Sequence, residues 1–231
     1  MELSKRLQAV AELVTPDLKV ADIGTDHAYI PIWLVEQKKN PSAIAMDINQ
    51  GPLEKAKENI ALHGLSSCIK TRQSDGMKQL ESKEAESVVI AGMGGGLVIK
   101  ILEDVRERNL GIKEWILQPQ SEIRRVREYL NESGYQIVKE DMVLDEGKFY
   151  PMMKVVKGGR EVYCEEELCY GKLLLQSKNP ILKTFLEKEL ELKNGIYQKL
   201  KKTSGQSAQK RVMELESDIS LIQEALHIYV L

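Results

Sequence analysis

No run of apolar residues in this 231-residue sequence approaches the roughly 20 that a membrane-spanning helix needs, so no membrane span is expected. Cysteine is scarce. Cys68, Cys164 and Cys169 are an odd number, with no CxxC pair and no histidine at ligand spacing. Neither a disulfide framework nor a metal site is expected, and a reducing cytoplasm suits the chain. An excess of one charge is missing too: the formal net charge is -2. Any nucleic-acid surface must then be a local patch. The opening MELSKRLQAVAELV has a helical pattern and an early acid, unlike a signal peptide. The pyrophosphate fingerprint GxGxxG is absent, and no lysine–serine pair follows the Gly-rich stretch at 92–96, so an NTPase is not expected. Internal repeats and low-complexity tracts are absent as well.

What is present is a regular alternation. Hydrophobic residues make up 42% of the chain, which suits a globular protein. Leu3, Leu7, Val10 and Val14 form the apolar stripe of a helix over 3–14. Short apolar runs at 18–23, 42–48, 68–74, 87–93 and 114–119 read as strands. Helical segments at 28–37, 52–64, 96–108 and 121–134 separate them, with Pro52 at a helix start, Ser121 as a cap, and Gly64 and Gly134 as stops. Residues 135–144 and 148–156 flank Asp145-Glu146-Gly147 as an antiparallel hairpin. The pattern predicts an α/β fold: a doubly wound parallel sheet closed by a hairpin, the class I (Rossmann-like) methyltransferase layout, over 1–157.

From about residue 160 the composition turns to Glu, Lys and Leu, with Gly158-Gly159 as a linker. Ala208, Val212, Leu215, Ile219, Ile222, Leu226 and Tyr229 make a heptad seam. Leu182, Phe185, Leu192 and Ile196 make a looser one, and Thr203–Ser207 a polar turn between the two. Residues 160–231 are therefore expected to form a helical antiparallel coiled coil.

Ligands of such sheets sit at the carboxyl ends of the strands. Asp22-Ile23-Gly24 closes the first strand; Gly24 admits close backbone approach, and Asp22 suits a ligand ammonium or a plain capping role. Asp47 closes the second, where an acid accepts from ribose hydroxyls or simply starts a helix. Asp75-Gly76 follows the third, where an acid accepts from an adenine amino group. Gly92, Met93 and Gly94 follow the fourth, as a backbone wall or a tight turn. Three strand-end acids without a pyrophosphate loop suit S-adenosylmethionine, which carries adenosine but no pyrophosphate. Arg124, Arg125 and Arg127 crowd a helix start, against its dipole; a phosphate partner or a solvated face explains them. Lys199, Lys201, Lys202, Lys210 and Arg211 surround the tail's turn with no acid between 199 and 211, as a phosphate-contacting tip or a solvated face.

The combination DIGTDHAYIP (22–31), MDIN (46–49), SDG (74–76), IAGMGG (90–95) and LQPQ (117–120), followed by a helical tail, resembles the bacterial tRNA (adenine(22)-N1)-methyltransferase family. The resemblance implies S-adenosyl-L-methionine as cofactor and N1 of adenine 22 in tRNA as target. It places Asp22, Gly24, Thr25, Asp26, Asp47, Ile48, Asp75 and Gly76 around the cofactor, and Gly92, Met93 and Gly94 near the methyl group. Asp26 and then His27 are candidates for stabilising or deprotonating the methylated base, and Tyr29 for stacking on it; a helix-start hydrogen bond and core packing are the competing roles of His27 and Tyr29. A small-molecule methyltransferase of the same fold, or a tRNA-binding or assembly protein with a vestigial pocket, are the alternatives; an NAD oxidoreductase is disfavoured by the missing fingerprint. A monomer is favoured.

Overall fold

The computed structural model describes residues 1–201 and 206–230. Lys202 and Thr203–Gly205, and the side chains of Gln206, Ser207 and Ala208, lie outside that description, so the expectations placed on them are not addressed. The chain divides into two compact units, Met1–Glu161 and Val162–Leu231.

The first unit is a seven-stranded sheet in the order β3-β2-β1-β4-β5-β7-β6. Its strands are β1 (Val20–Ile23), β2 (Ala43–Asp47), β3 (Ile69–Gln73), β4 (Ser87–Met93), β5 (Glu114–Pro119), β6 (Tyr135–Asp145) and β7 (Lys148–Lys157). β1 to β5 are parallel, and β7 runs antiparallel between β5 and β6. All four residues of β1 and the first four of β4 are buried, as strands covered on both faces require. The hairpin turns on Glu146 and Gly147, both at positive φ (47° and 78°), the two-residue loop whose twist matches the flanking strands. Strand order reverses between β1 and β4, so the crevice of this sheet opens beyond Ile23 and Met93.

Helices α1 (Lys5–Leu13), α2 (Tyr29–Glu36), α3 (Gln50–Leu62), α4 (Gly95–Asp104) and α5 (Ile123–Glu132) connect and cover the strands. α1 is fastened at both ends. Ser4 Oγ accepts from Leu7 N, and Asp145 Oδ2 from Arg6 N at 3.1 Å, satisfying amides that the first turn leaves open. Beyond its other end, Glu114 accepts from Thr15 N at 2.8 Å and pairs with Lys154 at 2.7 Å. This sets Arg6 at the strands' carboxyl ends. α3 begins at Gln50, two residues before Pro52, after Asn49, whose side chain makes no cap bond.

The α5 start departs from expectation. Its cap is Glu122, at φ 51°, with no side-chain cap bond, and Ser121 instead serves α4: Gly95 N donates to Ser121 O at 3.2 Å. A Cβ on Gly95 would stand 2.5 Å from that carbonyl oxygen, so only glycine lets α4 approach. Gly95→Ala should cost about 1–3 kcal/mol in urea unfolding through this overpacking. Gly96→Ala, whose Cβ would meet only the mobile end of Glu122, should be neutral or slightly stabilising. Equal losses for the two variants would refute the assignment.

The expectation of phosphate contact fails for Arg127. The residue is 2% exposed, and its Nε and Nη2 donate to the buried Glu140 Oε1 at 3.0 and 2.8 Å. It lies on the buried face of α5 with Val126 and Leu130, so the cation belongs to the interior. Arg124 and Arg125 stay on the surface, paired with Glu128 and Glu122. Those acids lie within one helical turn of the cations they pair with.

In the second unit a π-helical turn (Glu167–Gly171) leads into α6 (Lys172–Gln176), a short helix ahead of the expected pair, and then come α7 (Pro180–Leu200) and α8 (Gln206–His227). Asn179 caps α7 by accepting from Ile181 N and Leu182 N. α7 and α8 run antiparallel: Lys193 pairs with Asp218, Tyr197 Oη meets Glu216, and Tyr229 Oη donates to Asn179 O. Leu215, Ile222 and Ala225 bury on α8. On α7 the seam is Leu182 and Leu186, not Leu192 and Ile196, which are exposed. Leu186 lies four residues after Leu182 on the same stripe; Leu192 leaves it, whereas Ile196, two heptads beyond Leu182, keeps it and is exposed nonetheless. Among the described residues no helix is long and apolar enough to cross a membrane.

Candidate active site

A cleft of about 410 Å³ opens beyond β1 and β4, walled by Asp22, Gly24, Asp26, Tyr29, Gly92, Gln120 and, from α1, Arg6. A second hollow of about 380 Å³ lies beyond β2 and β3, lined by Ile48, Ser74, Asp75 and Lys78 among others. Both sit where strand order and strand direction place a ligand. A smaller cavity of about 190 Å³, lined by Trp115, Tyr135 and Lys157, lies at the opposite ends of the strands.

Asp22 is the buried charge of the larger cleft. Burial pushes its carboxyl up to about 6; the Thr25 hydroxyl pulls it part of the way down, and Asp47 raises it further. Thr25 Oγ1 is itself buried and makes no well-formed hydrogen bond among the described residues. The Thr25 amide joins that of Gly24 in donating to Met46 O, at 3.0 and 2.8 Å, which bends the chain off β1. Gly24 has φ 73°, and a Cβ there would meet Met93 Cε at 2.0 Å. Met93 thus packs against the β1 turn, and the cleft itself is lined on this side by Ala91 and Gly92.

The next turn is strained. His27 and Ala28 both hold positive φ, 59° and 57°, a conformation that costs a non-glycine residue on the order of 1–3 kcal/mol. Asn59 Nδ2 holds the turn by donating to His27 O at 3.0 Å, and Ala28 is fully buried. No side chain caps α2, so the helix-start role considered for His27 is not the one it has. Its ring instead stacks on Tyr29, centroids 5.1 Å apart and planes 7° from parallel, and its Nε2 lies 3.2 Å from Asp26 Oδ1. Asp26 is largely exposed and Tyr29 partly so. A carboxylate, an imidazole and a phenol ring are thereby held together at the cleft mouth.

The remaining candidates divide by position. Asp47 Oδ1 accepts from Asn49 N at 2.7 Å, which aims the carboxylate beyond β2. Ile48 is an exposed apolar face of the second hollow. Asp75 pairs with Lys78, whose ammonium holds the carboxyl below its usual range. Gly76, at φ 58°, packs against Ile101 of α4 and is not among the residues lining the hollow. Gly92 walls the cleft, and Gly94 caps α4. In the second unit Lys201 lies over the Tyr197 ring, Lys210 is exposed, and Arg211 pairs with Glu214.

Sequence reading missed one site residue, Arg6; Gln118 stood out in the sequence with Pro119 and Gln120 as a substrate-contact candidate at the end of β5. Gln118 is fully buried, and its Oε1 accepts from Gly92 N at 3.2 Å and Arg6 Nη1 at 3.1 Å, tying the loop after β4 to α1. Arg6 precedes β1 and carries no motif. Its only signal is a cation on a helix whose other face is apolar.

The chain is 33% identical over 232 residues to the tRNA (adenine(22)-N(1))-methyltransferase of Bacillus subtilis, covering 98% of each chain. The Streptococcus pneumoniae protein Sp1610, solved in complex with S-adenosyl-L-methionine, superposes with a TM-score of 0.87 at 32% identity, over 98% of this chain and 100% of that one. The M. capricolum enzyme, solved with S-adenosyl-homocysteine, superposes with a TM-score of 0.85 at 29% identity, over 99% of each. The family model for tRNA (adenine(22)-N(1))-methyltransferase matches residues 20–224. With the cleft and sheet order already in hand, that match over most of its length means that the chain belongs to the tRNA (adenine(22)-N(1))-methyltransferase family.

Proposed function

We propose that this chain methylates N1 of adenine 22 in tRNA with S-adenosyl-L-methionine, the reaction for which its family is named. The observation that carries the reading is the cleft beyond β1 and β4, where a buried carboxylate, a glycine wall and an aromatic ring converge. The cofactor fits these residues. Asp22 is a buried acid lacking a cation, Thr25 holds a buried hydroxyl in want of a partner, and Gly24 leaves the close approach a nucleoside needs.

When bound, the sulfonium supplies a methyl group that is already activated. What remains for the protein is alignment and charge. Asp22 and the Thr25 hydroxyl hold the amino-acid end. Asp47 accepts from the ribose, and Asp75, beside Ile48, receives the adenine edge beyond β3. Met93, Gly92 and Gly94 form the wall along which the methyl lies. Tyr29 stacks on the adenine withdrawn from its own stack, and Asp26, with His27 beside it, faces the cation that attack at N1 creates. Residues 1–157 are read as the methyltransferase domain and 160–231 as a helical coiled coil that meets the tRNA. Its contacts are assigned to Lys199, Lys201, Lys202, Lys210 and Arg211, with Arg124 and Arg125 as further surface cations. The reading is a cytoplasmic monomer.

The test is label transfer from S-adenosyl-L-methionine to unmodified tRNA and to the same tRNA changed at A22. Transfer to the first alone is expected. Equal transfer to both overturns the position, transfer to small metabolites but no tRNA favours the small-molecule enzyme, and tRNA binding without transfer favours the binding protein. The tail makes a separate prediction. Replacing Lys199, Lys201, Lys210 and Arg211 by Gln should weaken tRNA binding at least about 10-fold at low salt and flatten its salt dependence, with cofactor affinity unchanged. An unaltered salt slope would remove the tail from the interface.

A further inference from the structure

The turn from β1 into α2 keeps a shape that its own residues disfavour. His27 and Ala28 stand at positive φ with no glycine at either position. Among the described residues, one side chain donates to the backbone of residues 26–29: Asn59 Nδ2 to His27 O, at 3.0 Å. Asn59 stands in the third turn of α3. It is not needed to seat that helix, because Leu53, Ala56 and Ile60 form the buried stripe of α3 without it. What the Asn59 amide holds is the turn. The turn in turn sets three side chains. Asp26 and Tyr29 line the 410 Å³ cleft, and His27 joins them, its ring stacked on Tyr29 and its Nε2 beside Asp26 Oδ1. Relaxation of His27 and Ala28 to negative φ would redirect the chain between Asp26 and Tyr29 and break up this cluster.

We propose that Asn59 is a positioning residue for the target base: its bond to His27 O keeps the left-handed turn in place, and with it the Asp26–His27–Tyr29 cluster that receives the adenine. This rests on the reading that those three residues face the base. Asn59 lines neither the cleft nor the second hollow, so it acts through the turn. A base must meet its stacking ring and its carboxylate in one geometry, and small misplacements of such groups are felt in the rate. A neutral amide suits the task. It donates to the carbonyl without bringing a charge to the turn, whereas an aspartate of the same size has no proton to donate.

The experiment combines three measurements on the full chain: methylation of unmodified tRNA, calorimetric binding of S-adenosyl-homocysteine, and the proton spectrum of His27. Asn59→Ala should lower kcat with tRNA about 10-fold while S-adenosyl-homocysteine affinity stays within about 2-fold of wild type. Asn59→Asp should lose at least as much. Adding Ala28→Gly to Asn59→Ala should recover about 3-fold of the lost kcat, because glycine adopts positive φ without a steric penalty. The ring-current shift that Tyr29 imposes on the His27 ring protons should vanish in Asn59→Ala, as in Tyr29→Ala, and return with Ala28→Gly. The chain has three histidines, so His27→Gln identifies the signal. An unchanged kcat or an unchanged His27 shift in Asn59→Ala overturns the inference. So does an equal loss of kcat and of S-adenosyl-homocysteine affinity, or a loss that Ala28→Gly does not relieve. Wild-type methylation by both Tyr29→Ala and His27→Gln overturns instead the base-facing reading, a separate result.

Discussion

Arg127→Met is expected to destabilise the protein by about 3–5 kcal/mol, because it removes the guanidinium that balances the buried Glu140 charge. Both side chains are 1–2% exposed, and two guanidinium donors converge on one carboxylate oxygen. Removing one partner strands the other without water. Removing both is a different experiment. Arg127→Met combined with Glu140→Leu should recover most of the loss, since a buried pair and a well-packed apolar substitute are often close in stability. Urea unfolding midpoints of the two single variants and the double variant check this. A single variant within about 1 kcal/mol of wild type, or a double variant no better than the singles, would show that the pair is not what holds α5 to β6.

That pair also marks where sequence reading stops. The strand ends were legible because short apolar runs ending in Asp22, Asp47 or Asp75 repeat one local grammar, and periodicity alone places their side chains. Arg127 had the same local signature as Arg124 and Arg125. What separates it is Glu140 on β6, and no local rule says that this strand side chain points at α5. Leu192 illustrates the same limit: its apolar side chain suggested a seam, but the residues buried on that helix are Leu182 and Leu186. Arg6 and Gln118, 112 residues apart, become one feature only when α1 crosses the strand ends. The strained turn at His27 and Ala28 was legible as an oddity, a nucleotide turn short of glycine, but not as left-handed backbone held by Asn59. Local chemistry was readable; pairings across the sheet were not.

Asp22→Asn is expected to make the cofactor-free protein more stable at pH 8 while crippling it as an enzyme. The carboxyl is pushed up to about 6 in the folded chain, against about 3.9 in an unfolded one. Between those values the folded state holds the proton more tightly than the unfolded state. Stability from this group is therefore complete below about pH 4 and lost as pH rises through 6. The accumulated loss at pH 8 is on the order of 3 kcal/mol. Asn carries no such charge, so the stability difference between Asp22→Asn and wild type should grow by about that amount from pH 4 to pH 8. Other groups titrate in both proteins and largely cancel. A pH-independent difference would mean that Asp22 is not the strained charge of the apo site. Cofactor reverses the order. If, as proposed, its ammonium partners the buried carboxylate, excess S-adenosyl-L-methionine should raise the wild-type melting temperature and leave that of Asp22→Asn nearly unmoved. Cofactor affinity of the wild type should fall as pH drops below 6, where the carboxyl takes up its proton. On that proposal, the cost of keeping Asp22 charged in the cleft is free energy that binding recovers, which would account for a destabilising acid at the end of β1.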